Sequence, residues 1–191
     1  LIKKNNYVYC IDKFIYEKNS FIKKSKKINI LKYDITHSSF YNNIPADISS
    51  VIILAGLVGD PITKKYPKLS HQINFLAIKK IVNFYKRLKV KLIFVSTCSN
   101  YGFLENKIAN EKTSLNPKSL YAKQKVKIEK YILSLRKKSK FIPTILRFST
   151  AFGVSARPRF DLTINEFVLH AVTKKKLQIY DHETWRPYCH L

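Results

Sequence analysis

The chain has 191 residues, of which 46% are hydrophobic, and this size and composition suit one soluble globular domain with a sizeable core. Its longest apolar run, residues 51–58, is far shorter than the roughly 20 residues of a membrane span. Its formal charge of +24 comes mostly from lysines in nearly every segment, and this even distribution favours a solvated basic surface over a nucleic-acid site. Cys10, Cys98 and Cys189 form no CxxC pair and are too few for a disulfide framework, so we expect a reducing, cytoplasmic compartment.

Short apolar runs predict the β-strands. They cover residues 7–11, 29–33, 51–54, 91–95 and 141–146. The run at 51–54 is apolar at every position rather than at every second one, which is typical of a buried strand in a parallel sheet. Pro143 lies near the start of the last run.

Between these runs, apolar residues recur at helical spacing and predict helices at residues 69–89, 120–135 and 162–172. Strands that alternate with helices in this way indicate a doubly wound parallel sheet, that is, an α/β fold. The loop between Ser155 and Arg159 is the best candidate for a boundary. We therefore predict a domain at residues 1–155 and a second region at residues 156–191.

Small, polar or acidic residues stand at the ends of the predicted strands. They are Asp12, Asp34, Ala55 with Gly56, and Ser96 with Thr97. In open parallel sheets, ligands bind beyond the carboxyl ends of the strands. These residues therefore indicate a ligand site at that edge of the sheet.

Tyr121 and Lys125 lie four residues apart in a predicted helix and so share one helical face. The ordinary pKa of a tyrosine is about 10, and a neighbouring positive charge lowers that pKa toward working pH. The pair is suited to take a proton from a hydroxyl group and to return it. Thr97 would add a hydroxyl for the same substrate oxygen. In a chain this rich in tyrosine and lysine, the spacing alone is a weak signal.

Several stretches together resemble one family. They are Val51–Pro61 (VIILAGLVGDP), Ser96–Gly102 (STCSNYG), Ser119–Lys125 (SLYAKQK), Leu146–Gly153 (LRFSTAFG) and Trp185–His190 (WRPYCH). In content and order they are similar to the NAD-dependent epimerase/dehydratase enzymes, the extended group of the short-chain dehydrogenases/reductases. The resemblance covers essentially the whole chain. It implies a Rossmann-like fold with the start of a small substrate-binding lobe, NAD as the cofactor, a nucleotide-sugar substrate and a homodimer.

The resemblance also implies roles for the matching residues. Thr97, Tyr121 and Lys125 are the catalytic set, and Lys125 also holds the nicotinamide ribose. Asp12 binds the adenosine ribose hydroxyls and disfavours the 2′-phosphate of NADP. The other implied NAD contacts are Asp34 and Ile35 at the adenine, Ala55 and Gly56 at a turn close to the cofactor, and Asn74, which buttresses the site. The implied substrate contacts are Thr97, Ser149, Thr150, Asn165 and Arg186.

Several of these assignments have a simpler structural alternative. Asp12 and Asp34 could cap turns, Asn74 could be an ordinary surface residue of a helix, and Arg186 could be a solvated loop cation. Ser99 is a weaker rival of Thr97 for its role. The histidines at 170, 182 and 190 lack metal-ligand spacing, so we predict no metal site.

One part of the family pattern is missing. The glycine-rich fingerprint GxxGxxG is absent, since the glycines Gly56, Gly59, Gly102 and Gly153 do not open a strand–turn–helix unit. We expect the first strand and its loop to lie upstream, so that the chain is a fragment that lacks part of the pyrophosphate site. In the strand order 3-2-1-4-5-6, that first strand is central.

The two residues after Thr97 narrow the chemistry. The sugar-nucleotide 4,6-dehydratases of this family carry Asp-Glu there, and its decarboxylases carry a Glu at the second position. Cys98 and Ser99 stand at these positions here, which disfavours dehydration and decarboxylation. We therefore expect an NAD-dependent sugar-nucleotide epimerase. The alternatives are a reductase or dehydrogenase of the same family and a noncatalytic relative that binds nucleic acid.

Overall fold

The computed structural model describes residue 1 and residues 4–15, 25–104, 108–136, 141–155 and 158–191. Its strands are β1 (Val8–Asp12), β2 (Ile28–Lys32), β3 (Ser50–Ile53), β4 (Lys91–Thr97), β5 (Thr144–Phe148), β6 (Thr150–Phe152) and β7 (Tyr188–His190). Its helices are α1 (Phe40–Asn43), α2 (Asp60–Lys65), α3 (Pro67–His71), α4 (Ile78–Arg87), α5 (Leu120–Arg136) and α6 (Thr163–Lys174). A π-helical segment (Gln72–Ala77) joins α3 to α4, and a 3₁₀ turn (Cys98–Tyr101) follows β4.

The strands form three separate sheets in the described part of the chain. β1 pairs with β2, β4 lies between β3 and β5, and β6 pairs with β7. The β1–β2, β3–β4 and β6–β7 pairs are parallel. No described strand joins β1 to β3. Removing strand 1 from the order 3-2-1-4-5-6 leaves this arrangement, a pair and a trio of neighbouring strands.

The described residues divide into two compact units. The first comprises Leu1–Lys13 and Lys26–Arg147, and the second comprises Phe14–Ser25 and Phe148–Leu191. The boundary between the two units in this part of the chain thus falls after Arg147. The domain boundary at residue 155 rests on the sequence and stays a prediction.

The core of the first unit forms where helices α4 and α5 cover one face of β3 and β4. Alternate residues of β4, Leu92 and Phe94, are 1% and 0% exposed, because side chains alternate between the faces of a strand. On α5, Ile128 and Ile132 are both fully buried and lie one helical turn apart. Each such side chain contributes about 1.5–3 kcal/mol through the hydrophobic effect. This packing sets the position of α5 against the end of β4.

The predicted helices are confirmed, and the strand predictions differ mainly at their ends. The helix predicted at residues 69–89 covers the second part of α3, the π-helical segment and α4, and the observed helix begins two residues earlier, at Pro67. The strand predicted from residue 141 starts only at Thr144, directly after Pro143, because proline has no N–H for a ladder of hydrogen bonds. The sequence prediction missed α1, α2, β6 and β7, which have three to six residues each.

Within the described residues, no helix combines the length and the apolar character that crossing a membrane requires.

Truncating a core side chain of α5 tests this packing. Ile128→Ala in the full-length protein should lower the free energy of unfolding by about 2–5 kcal/mol, since it removes a buried side chain and leaves a cavity. Urea denaturation measures the loss. Ile108→Ala is the control, because Ile108 is 97% exposed and lies outside this packing, and it should cost less than about 1 kcal/mol. Equal losses from the two variants would contradict the packing of α5.

Candidate active site

Thr97 ends β4 and begins the 3₁₀ turn that follows it. The Thr97 hydroxyl oxygen accepts a hydrogen bond from the backbone N–H of Ser99 at 3.2 Å. This bond satisfies a donor that the start of the turn would otherwise leave without a partner. The hydroxyl of Thr97 is thereby held at the carboxyl end of β4, where parallel sheets bind their ligands.

Lys125 reaches the same end of β4 from helix α5. Its side chain is 5% exposed, and its ammonium group donates a hydrogen bond to the carbonyl oxygen of Val95 at 2.8 Å. The Nζ atom lies 4.7 Å from the ring centre of Phe94 and 5.7 Å from that of Tyr121. An ammonium above an aromatic ring is attracted by the negative face of the ring. The side chain of Lys125 thus brings the first turn of α5 to the end of β4.

The surroundings of Lys125 lower its pKa. Burial disfavours the charged form and brings the pKa down from 10.5 to about 8, while the carboxylate of Glu129 opposes this shift. The ammonium group is therefore charged near neutral pH and loses its proton only a little above it. A half-buried phenol, that of Tyr121, lies on the same helical face.

Asn74 links the π-helical segment to the loop that follows β3. Its side-chain oxygen accepts from the N–H of Leu57 at 2.7 Å, and its amide group donates to the carbonyl oxygen of Leu57 at 3.0 Å. The same amide donates to Gln124 at 3.0 Å, and Ser70 donates to Gln124 at 2.5 Å. Asn74 is 2% exposed, so the alternative of an ordinary surface residue is wrong.

This contact also restricts the turn that follows β3. A Cβ atom on Gly56 would stand 3.1 Å from the side-chain oxygen of Asn74, which is closer than most side chains tolerate. The backbone of the Ala55–Gly56 turn therefore passes close to the side chain of Asn74. The sequence prediction named Asn74 but missed Gln124 and Ser70, whose part in the network depends on contacts between elements distant in the chain.

The acidic residues at the ends of β1 and β2 differ in their surroundings. Asp12 is the last residue of β1. Asp34 accepts from the N–H of Thr36 at 2.9 Å and pairs with Lys13 at 2.7 Å. Partial burial alone would raise the pKa of Asp34, but the hydrogen bonds from Lys13 and Thr36 hold it at about 2. Asp34 thus caps a turn through Thr36, as the simpler structural alternative expected, and its carboxyl group stays ionised.

A cavity of about 280 Å³ opens beside Thr36 in the first unit. Its lining comprises Thr36, Gln72, Leu76, Ala77 and Lys80. These residues come from the loop after β2 and from the helical segment that carries Asn74. The sequence prediction placed a ligand group at Ile35 but did not identify the helical wall.

The second unit holds the other predicted residues. Arg186 donates from Nε to the hydroxyl of Thr150 at 3.1 Å, and the N–H of Thr150 donates to the carbonyl of Pro187 at 3.2 Å. β6 and β7 pair at this point, which brings Thr150 and Arg186 together. Asn165 instead donates to the carbonyl oxygen of Arg159 at 3.2 Å, and Ser149 lies between β5 and β6. Within the described ranges, no group of three or more His, Cys, Asp or Glu side chains could hold a metal ion.

Gly102 closes the turn after Thr97 against the loop that leads into α5. Its φ is 71°, a conformation that side chains disfavour, and a Cβ atom there would stand 2.2 Å from the carbonyl oxygen of Asn116. The N–H of Asn116 also donates to the carbonyl of Asn100 at 3.0 Å. The glycine is thus required where these two backbone segments meet.

Residues 1–191 match the model of a protein family described as the NAD dependent epimerase/dehydratase family. Over 117 residues, the chain is 32% identical to a protein of Bacillus subtilis (strain 168) described as the uncharacterized UDP-glucose epimerase YtcB. That match covers 60% of this chain and 35% of the relative.

Solved structures show the same fold. The UDP-N-acetylglucosamine 4-epimerase from Methanobrevibacter ruminantium M1, in complex with UDP-N-acetylmuramic acid, matches with a TM-score of 0.86 and 25% identity over 97% of this chain and 61% of that one. The UDP-glucuronic acid 4-epimerase from Bacillus cereus, in complex with UDP-glucuronic acid and NAD, has a TM-score of 0.84 and 23% identity over 100% of this chain and 63% of that one. The Rossmann-like α/β prediction is confirmed, and the chain spans less than two thirds of either structure.

Replacing Gly102 tests the close approach of the two backbone segments. Gly102→Ala in the full-length protein should lower the free energy of unfolding by at least about 2 kcal/mol, because the new Cβ meets a backbone oxygen and the φ is positive. Urea denaturation measures this change. In Gly56→Ala, the control, the new Cβ approaches a side chain, which can move, so the loss should be smaller. A Gly102 variant as stable as the wild type would contradict the observed turn.

The lowered pKa of Lys125 predicts a pH dependence of stability. Between pH 8 and 10.5 the unfolded chain keeps a proton on Lys125 that the folded protein has lost, so the free energy of unfolding rises with pH in this range. Relative to Lys125→Met, the wild type should therefore gain about 1.4 kcal/mol per pH unit above pH 8. Urea denaturation from pH 7 to 9.5 measures this difference. Lys123→Met, an exposed position on the same helix, is the matched control. A difference at Lys125 that does not rise with pH would contradict the pKa shift.

Proposed function

Since the chain belongs to the NAD dependent epimerase/dehydratase family, we propose that it forms the catalytic region of an NAD-dependent nucleotide-sugar epimerase. The observation that carries the proposal is the buried ammonium of Lys125, which lies near the ring of Tyr121 at the end of β4. The solved relatives described as UDP-sugar 4-epimerases support the substrate class.

In this proposal Tyr121 is the acid–base group and Lys125 keeps it reactive. The phenolate of Tyr121 takes the proton from a sugar hydroxyl and later returns it. A positive charge close to a phenol favours the ionised form and so lowers its pKa. Lys125 can supply that charge because its own pKa is about 8, which leaves it protonated at neutral pH. Thr97 donates a hydrogen bond to the same sugar oxygen and orients it.

The residues at the strand ends fit an NAD molecule. The Asp12 carboxylate suits the ribose hydroxyls of the adenosine part and disfavours a 2′-phosphate, and Asp34 with Ile35 would line the adenine. Ala55 and Gly56 form the turn that would pass close to the cofactor, and the missing Cβ of Gly56 leaves room for the side chain of Asn74. The cavity lined by Thr36, the neighbour of Ile35 in the chain, would take the adenine ring. Asn74 buttresses the site through its two bonds to Leu57. An NAD molecule held by these residues would supply a reversible hydride acceptor for the sugar carbon, with no net oxidation of the substrate.

We also propose substrate contacts for four residues of the second unit. We assign Ser149 and Thr150 to the sugar, and Asn165 and Arg186 to the nucleotide diphosphate. A guanidinium group suits a diphosphate because it offers several donors in one plane. Arg186 already bonds to Thr150, a contact that would place both parts of this set together.

The lack of an acidic residue directly after Thr97 favours epimerisation over elimination. Loss of water or of carbon dioxide requires a further group beside the sugar, and the two residues after Thr97 are Cys98 and Ser99. A reductase or dehydrogenase of the same family would use the same Thr97, Tyr121 and Lys125. Product analysis distinguishes the two, because an epimerase leaves the NADH concentration unchanged and a reductase consumes it.

We also propose a homodimer, in which the helical segments from Leu69 and from Leu120 pack against a second copy. Leu69 and Leu133 are each 44% exposed on these segments, and exposed apolar side chains of this kind can contribute to a subunit interface.

Removal of the Tyr121 hydroxyl tests the proposed chemistry. Tyr121→Phe in the full-length protein should lower kcat by about 10²–10⁴-fold, since the acid–base group is gone, while NAD binding is retained. Interconversion of UDP-sugars, followed by chromatography, measures kcat, and calorimetry measures NAD binding.

The matched control is Tyr131→Phe on the same helix, where the lost hydroxyl donates only to Asn83 at 2.6 Å. That variant should keep its activity within about threefold, because the hydroxyl is not in the proposed site. A Tyr121→Phe enzyme with wild-type kcat would remove Tyr121 from its role.

A further inference from the structure

A buried ion pair lies one helical turn beyond Lys125. Glu129 is 1% exposed and pairs with Arg147, whose Nη2 stands 2.8 Å from Oε2 of Glu129. The Nε of Arg147 donates to both oxygens of the same carboxylate, at 3.1 and 3.2 Å. Such a fork fixes the relative orientation of both side chains. It therefore fixes α5 against β5.

The same carboxylate also holds the turn that follows Thr97. Asn100, fully buried in this turn, donates to Oε1 of Glu129 at 2.7 Å and to the hydroxyl of Ser96 at 3.0 Å. The next residue, Tyr101, accepts at its hydroxyl from Nη1 of Arg147 at 3.0 Å. The turn is thus held at its far end by the ion pair and at its near end by the cap of Thr97.

Stability alone is a weak reason for such an arrangement. Removing a carboxylate and a guanidinium from water is costly, and apolar side chains of similar volume stabilise a core at least as well. What the ion pair provides is a fixed geometry between α5, β5 and the turn. It also places a negative charge one turn from Lys125, and this carboxylate raises the pKa of Lys125, against the lowering by burial.

We propose that Glu129 is a positioning residue, which keeps Lys125 charged and ties the Thr97 turn to helix α5. The inference rests on the proposed function for its catalytic consequence. The groups that face the carboxylate are Arg147 from β5, Asn100 from the turn and Lys125 from its own helix. Arg147 balances the charge of Glu129, and Asn100 connects it to the turn.

Glu129→Gln in the full-length protein tests this role, because glutamine keeps the size and an acceptor for Asn100 but removes the charge. We expect kcat to fall about tenfold with KM nearly unchanged. We also expect the high-pH limb of the kcat profile to move down by about one pH unit, since Lys125 loses its stabilising anion and deprotonates earlier. Glu111→Gln, an exposed acid, is the control and should move neither quantity.

A second variant covers the case in which Glu129→Gln does not fold because Arg147, only 18% exposed, loses its carboxylate partner. Glu129→Gln with Arg147→Gln removes both charges together and avoids a partly buried cation without a counter-ion. It should shift the high-pH limb in the same direction. A lower melting temperature with an unchanged pH profile, in whichever variant folds, would overturn the proposal and leave Glu129 with a structural role only.

A measurement without catalysis separates this inference from the proposed function. The pH above which the stability difference between a protein and its Lys125→Met form begins to rise reports the pKa of Lys125. We expect this pH to be about one unit lower when both proteins of the pair also carry Glu129→Gln. No shift would overturn the inference, whereas a wild type that converts no nucleotide sugar would overturn the proposed function alone.

Discussion

The hydrogen bond from the Lys125 ammonium to the carbonyl oxygen of Val95 joins helix α5 to the end of β4, and the rest of the site depends on it. An ammonium at 5% exposure is costly to keep charged, so its neighbours must compensate. They do so through a carbonyl oxygen, an aromatic face and a carboxylate one turn away. Ile128 and Ile132 hold the same helix in place through the apolar core. Apolar packing and the contacts of Lys125 thus both fix the position of helix α5.

Two polar networks flank Lys125 along α5. Gln124 precedes it and bonds to Asn74 and Ser70, while Glu129 follows it and bonds to Asn100 and Arg147. The first network reaches the turn after β3, and the second reaches the turn after β4. Buried polar groups of this kind are stable only when their partners are present. The strand-end turns of the site are therefore held to one helix rather than to each other.

Local patterns in the sequence predicted what local chemistry determines. Spacing of apolar residues predicted the three long helices, and the four-residue separation placed Tyr121 and Lys125 on one face. The buried partners of α5 could not be predicted in this way, because Glu129 and Arg147 meet only after the strands have assembled. In a chain with 36 lysines and arginines, composition does not distinguish the buried Lys125 from lysines that are exposed. Roles for Ser149 and Thr150 came only from the resemblance to the family, and they remain proposals.

The π-helical segment Gln72–Ala77 gives the site an unusual sensitivity to chain length. A π-bulge arises when one extra residue is accommodated in an α-helix, and each residue of an α-helix turns the chain by about 100°. Loss of one residue here would restore a regular helix and rotate everything on one side of the deletion relative to the other. Asn74 could then no longer face Leu57 while Ile78 and Val82 face the sheet. The length of this helical segment is therefore constrained as well as the side chain of Asn74, because a deletion would misplace Asn74 even where its identity is kept.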